Sequence, residues 1–328
     1  MSGATATSGR SFGLRNETLG LWLGVLGVAI FALTLPMTRL ATGTQAVPQL
    51  SPWFVTLGRA ALAGVLSLIF LLATRSPWPK PKHWKPLCLA VLGNALGYPL
   101  LLAYALRVVS ASHAAVVTAL LPLATAAVAA WVLHQRARLG FWLCAVAGSA
   151  LVVVFSLLRA HQGNASAGLF EWADILLVAA VVAASFGYIY GAQVTPELGA
   201  ERVICWVCVM ALPFTLPGAF WLWPEQEVAR SAWLGFAYVG IFSMWIGFFA
   251  WYRGLALGGA LRVSQTQLLQ PFVSILAAVP LLGESIDMLT IAFAGAVVAT
   301  VIAGKKLSQA QARPAPPESP NATPKEKP

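Results

Sequence analysis

Eight stretches of the chain carry no Asp, Glu, Lys or Arg: 18–38, 86–106, 108–135, 139–158, 175–196, 203–224, 231–252 and 263–283. A helix crosses about 30 Å of hydrocarbon with roughly 20 apolar residues, and most of these stretches have that length. They do not alternate apolar and polar residues at period two, as barrel strands would. Ten spans are expected: 18–38, 51–73, 86–106, 111–133, 140–158, 172–193, 203–223, 232–252, 261–283 and 287–304. The second contains one charge, Arg59, and the tenth is short. The predicted fold class is an all-α polytopic membrane protein of ten transmembrane helices. Residues 1–17 are polar and read as a tail before the first span, with no cleavable signal segment. Residues 305–328 are rich in Pro, Lys, Glu and Ala and read as a disordered tail.

Composition agrees. Of 328 residues, 59% are hydrophobic and 10% charged, with a mean hydropathy of +0.76. A soluble domain carries about 25% charged residues. A soluble enzyme, a disordered chain and a secreted disulfide scaffold are therefore excluded. The net charge of +10 follows from basic cytoplasmic loops, so no nucleic-acid partner is expected. Cys88, Cys144, Cys205 and Cys208 all lie in apolar runs. Cys205-Trp-Val-Cys208 lacks the βαβ or paired context of a redox or metal motif, and reads as packing. No metal, cofactor or catalytic residues are expected, since neither a zinc-binding helix motif nor a nucleophile elbow occurs.

Lys and Arg set the orientation. With the amino terminus inside, only Arg39, Arg107, Arg159 and Arg230 of the 21 basic residues fall outside, and Arg59 lies within the bilayer. This bias places both termini in the cytoplasm. Trp53, Trp78, Trp84, Trp172, Trp221, Trp223 and Trp233 fall near expected span ends, as an interfacial belt requires.

Spans four and nine resemble each other. Leu106 precedes Pro122 by the same interval at which Leu255 precedes Pro271, and the two prolines are 149 positions apart. Spans one to five (18–158) and six to ten (172–304) therefore read as two copies of one unit. Five spans per copy invert the second copy. Loop charges agree: Arg75, Lys80, Lys82 and Lys85 follow span two, whereas Glu225 and Glu227 follow span seven. Inverted repeats place a binding site near the midplane at the repeat interface.

The segments FALTLPMTRLA and GRAALAG, the central prolines, LLGES after span nine and the five-plus-five layout resemble the drug/metabolite transporter superfamily, specifically its EamA-type exporters. The resemblance covers roughly 18–304. It implies a ten-helix bundle with a central cavity, alternating access, and export of amino acids or other small metabolites from a bacterial inner membrane. It also implies an Arg at the place of Arg59. The acidic family position is matched by Glu284 only, because the first copy has His134-Gln135-Arg136 where the second has Gly283-Glu284-Ser285.

Polar residues within spans are costly in lipid and mark a pathway or an interhelical contact. On span nine Ser264, Gln267, Gln270 and Ser274 share one stripe. The offset carries Gln267 onto Thr118 and Ser274 onto Thr125. Pro122 and Pro271 each free a carbonyl four residues earlier, and with Pro36 they are candidate hinges. Asn94 and Tyr98 share a face of span three, beside a Gly93-x-x-x-Gly97 packing motif. Span six offers Tyr188, and span eight Ser243 and Trp245. Candidate substrate contacts are thus Asn94, Tyr98, Thr118, Tyr188, Trp245, Gln267 and Gln270. Arg59 is a candidate charge partner that can also snorkel outward or cap a helix. His113 is a candidate pH sensor. No carboxylate lies mid-span, which argues against a carboxylate relay and, with Arg59 alone inside, against polyanionic substrates. The expected partners are a small-molecule substrate and the lipid bilayer. A monomer satisfies this layout. A gated channel on the same scaffold is the alternative to a carrier.

Overall fold

A computed structural model describes residues 6–132, 139–162, 172–258 and 264–309. All described regular structure is helical, and the only extended pairing among the described residues is an isolated bridge between Gly43 and Pro48. Seven described helices are long and apolar enough to cross a membrane, and three shorter apolar stretches, Trp142–Phe155, Thr266–Leu282 and Met288–Ala303, fall where spans five, nine and ten are expected.

Five of the spans are unbroken or nearly so: span two (Pro52–Ala73), span five (Leu139–Gln162), span six (Trp172–Leu198), span seven (Ala200–Trp221) and span ten (Met288–Gln309). The others are interrupted. Span one is Ala6–Ala32 followed by Thr34–Thr42. Its helix begins inside the segment expected as a tail, and breaks at Leu33 three residues before Pro36, whose ring cannot donate to Ala32. Span four divides into Ala111–Thr118 and Leu121–Val132, and span nine into a 3₁₀ segment, Ser264–Leu269, and Gln270–Leu282. In both cases the α-helix restarts one residue before the proline, Pro122 or Pro271, where a missing N–H costs nothing. Span three passes through a π-helical stretch, Val91–Gly97, between Pro81–Ala90 and Tyr98–Ala105. Span eight does the same at Tyr238–Ile246, between Arg230–Ala237 and Gly247–Gly258.

These interruptions obey the repeat. Adding 149 to Val91–Gly97 gives residues 240–246, inside the second π-helical stretch. Packing obeys it as well. Span one lies along span eight and span three along span six, a pair of contacts that the repeat exchanges. Spans two and seven, four and nine, and five and ten pack against their own counterparts. This is the contact pattern of a pseudo-twofold axis.

Close approach of spans three and six needs glycine. A Cβ on Gly93 would stand 2.5 Å from the Ala183 carbonyl and 2.7 Å from the Gly187 Cα. The expected glycine motif thus faces span six. One apolar cluster joins spans one, three, four, five, six, nine and ten, and a second joins spans one, two, three, six, seven and eight. Tyr188 packs against both. Large apolar side chains also lie outside: Ile69, Leu72, Phe214, Phe220 and Leu276 are all exposed. A soluble monomer rarely carries so much exposed apolar surface, whereas lipid accepts it.

A central cavity shared by both repeats

The cavity lies where the two clusters meet. Span one contributes Phe31 and Thr34, span two Arg59, and span three Asn94 and Tyr98. The second repeat contributes Tyr188 from span six, Ser243, Met244 and Phe248 from span eight, and Gln270 from span nine. Its volume is about 30 Å³, space for one or two waters. In this conformation the cavity is too small to hold a metabolite.

The π-helical stretches aim its polar groups. A π turn inserts one extra residue, rotates the helix beyond it and is frequent at functional sites. Asn94 sits within the first such stretch and Ser243 within the second. Asn94 is buried, its amide pressed on Gly187, where a Cβ would stand 2.3 Å from Oδ1. Ser243 and Thr34 share a hydrogen bond of 2.8 Å that ties span eight to span one. Arg59 is 3% exposed and so does not snorkel. Its Nη2 donates to Ser243 Oγ at 3.1 Å.

A second small cavity adjoins the first and shares Gln270 with it. Thr118, Pro122, Gln267, Pro271 and Ser274 line it. Thr118 and Gln267 therefore meet at one space, against which both breaks lie, whereas Thr125 turns to span six and donates to Ser185 Oγ at 3.3 Å. Thr118 already donates to the Ala114 carbonyl at 2.8 Å, so its hydroxyl is partly spent on its own helix.

Of the expected contacts, Asn94, Tyr98, Tyr188 and Gln270 come together in the central cavity, and Thr118 and Gln267 in the adjoining one. Trp245 lines neither and packs on Phe249, ring centroids 5.1 Å apart. It stands two residues from Ser243, close to the opposite side of the helix, so the two do not share a face. Phe31, Met244 and Phe248 escaped the sequence reading because apolar side chains in an apolar span give no signal of facing a cavity.

One end of the bundle carries an unexpected polar cluster. Gly283 takes φ +67° and ends span nine, turning Glu284 back across the bundle. The Glu284 carboxylate accepts from the backbone N–H of Ala111 at 2.7 Å and of Ser112 at 3.0 Å, and from Ser112 Oγ at 2.6 Å. It therefore caps the first turn of span four, where orphan donors and the helix dipole favour an anion. Arg39 at the end of span one lies 4.0 Å from Glu284 and donates to the carbonyls of Leu106 and Val109. Beside it, His113 Nε2 stands 2.6 Å from Asp174 Oδ1, both residues buried. The position equivalent to Glu284, Gln135, lies outside the described residues, as do Arg136 and Arg138. At the other end, Glu197 of span six meets Lys82 at 2.6 Å and His83 at 3.0 Å on span three. Among the described residues no group of three His, Cys, Asp or Glu side chains is placed to hold a metal ion.

Comparison with known proteins accounts for this architecture. A solved crystal structure aligns with a TM-score of 0.61 at 20% identity, covering 90% of this chain and 99% of that one, which shows a shared fold. The protein named "Uncharacterized transporter YdeK" of Bacillus subtilis (strain 168) is 40% identical over 297 residues, 90% of this chain and 100% of that relative. The EamA family profile matches twice, over residues 18–157 and 171–303. The chain belongs to the EamA-like transporter family and is a multi-pass membrane transporter.

Proposed function

We propose that this transporter exports a small amphipathic or zwitterionic metabolite, such as an amino acid with an aromatic or other apolar side chain, by alternating access across a bacterial inner membrane. Both termini face the cytoplasm in this reading, following the Lys and Arg bias. The observation that carries it is the central cavity, whose polar lining is drawn from spans one, two and three of one repeat and six, eight and nine of the other. A site split between inverted copies changes access when the copies exchange conformations.

The amides of Asn94 and Gln270 donate to a carboxylate and accept from an ammonium, and the Tyr98 and Tyr188 hydroxyls do both. Phe31 and Phe248 offer ring edges and faces to an apolar side chain. Gln267 and Thr118 extend this lining, and Trp245 supports it from behind. Pro36, Pro122 and Pro271 serve as hinges because each stands at a break where the helix ladder is already interrupted. The transporter acts without catalysis.

Counterflow in proteoliposomes tests the reading. Purified protein loaded with an unlabelled amino acid should accumulate the labelled one, saturably. Transport without saturation, at rates beyond a conformational cycle, would make the protein a channel.

A further inference from the structure

Arg59 is the single charged residue in the cavity lining. Only Nη2 has partners: Ser243 Oγ at 3.1 Å and Met244 Sδ at 3.9 Å. The buried Nε and Nη1 find no hydrogen-bond partner among the described residues. Arg59 also belongs to none of the described ion pairs, which engage Arg39, Lys82, His83, His113 and Arg253.

A buried guanidinium with open donors and no counterion is costly. Proteins retain such a group where something else supplies the anion. Packing alone does not explain it, because the second repeat builds the equivalent place with an uncharged residue: adding 149 to Arg59 gives Cys208, which is also buried. The cation is thus a charge that one repeat places in the cavity and the other does not match. One N–H on Nε and two on Nη1 suit the oxygens of a carboxylate. A single cation among neutral amides and phenols matches one negative charge and leaves a phosphate dianion half compensated.

We propose that Arg59 is the anchor for a substrate carboxylate, so that the solutes recognised are monocarboxylates, amino acids included, rather than amines or neutral molecules. The proposal rests on the carrier reading above and narrows its substrate class.

The test is thermal unfolding of the full-length protein in nanodiscs with acetate, 3-phenylpropionate, phenylalanine and phenethylamine, the last sharing the ring but lacking the carboxylate. Carboxylates should raise the melting temperature, and phenethylamine should not. Arg59→Gln should retain or raise the ligand-free melting temperature, since an uncompensated charge is removed, and should lose the carboxylate response. Its affinity should fall roughly 10- to 100-fold, the range for a hydrogen bond to a charged group. A wild-type protein indifferent to every carboxylate, an equal response to phenethylamine, or a full carboxylate response in Arg59→Gln overturns the proposal. Should Arg59→Gln not fold, Arg59→Lys keeps the charge without the planar fork. Carboxylate affinity at least about tenfold weaker in Arg59→Lys supports the anchor, and undiminished affinity overturns it. Failed amino-acid counterflow with an intact carboxylate response removes the amino-acid reading and leaves the anchor. Wild-type counterflow by Arg59→Gln removes the anchor and leaves the carrier.

Discussion

Asn94 and Ser243 line the same cavity from the π-helical stretches of spans three and eight, and the offset of 149 residues that relates the two prolines also relates them. An amide thus faces a hydroxyl across a pseudo-twofold axis. The asymmetry matters for chemistry: Ser243 is engaged by Thr34 and Arg59, whereas the Asn94 amide lies against Gly187 and the cavity.

Gln270 lines both cavities and Gln267 only the second. Gln270→Leu should weaken substrate binding by about 1–3 kcal/mol, the cost of lost buried hydrogen bonds, and Gln267→Leu by less. Both should reach the membrane normally, because leucine suits an apolar span. Counterflow at matched expression measures the difference. Equal losses would place both amides on the substrate, and no loss in either would make this polar stripe a packing feature.

Gly93→Ala should lower stability. The added methyl meets backbone atoms of span six at 2.5–2.7 Å, and neither helix can yield without moving. Overpacking of this kind costs about 1–3 kcal/mol. A lower melting temperature in detergent and reduced transport are expected. Gly295→Ala, where an added Cβ meets nothing within 4 Å, serves as the control and should be neutral.

Glu284→Ala removes the acceptor for two backbone N–H groups and the Ser112 hydroxyl, and leaves Arg39 without its carboxylate. Spans one, four and nine then lose a shared tie at one end of the bundle. The cost should be about 1–3 kcal/mol, and the population should shift toward a form open at that end. A cysteine at Thr118, which lines the second cavity, should react faster with an impermeant maleimide added from the Glu284 side. An unchanged rate would show that the cluster is not a gate.

Topology is checked by labelling single cysteines in a background lacking the four native ones. A cysteine at Glu225 should label from outside the cell and one at Lys82 only after the membrane is opened. Labelling of both from one face would overturn the ten-span topology, and exchange of the two faces would reverse the proposed orientation.

Much of the fold was legible in the sequence, because lipid imposes a severe rule: a crossing helix must be apolar over about 20 residues, and its backbone must bond internally. Charge-free runs therefore located the spans, and the shared proline spacing located the repeat. The prolines at the breaks, Pro36, Pro122 and Pro271, were legible too, but proline only permits a break: Pro213 and Pro217 lie inside the continuous helix of span seven.

Which side chains face one another was decided only by the tertiary structure. Periodicity names a face of a helix without saying what that face meets. The sequence thus favours Trp245 over its neighbour Ser243, although the π-helical stretch that holds both brings Ser243 and Met244 to the cavity and leaves Trp245 outside it. Likewise Glu284 and Asp174 lie near expected span ends, and their partners are not marked in the sequence. Folding brings Glu284 onto the amino end of span four, 173 residues from its partner Ala111, and buries Asp174 against His113. The physical reason is common to all of these. Span formation depends on transfer of one segment into lipid, a local quantity. A polar contact depends on where a second segment has come to rest.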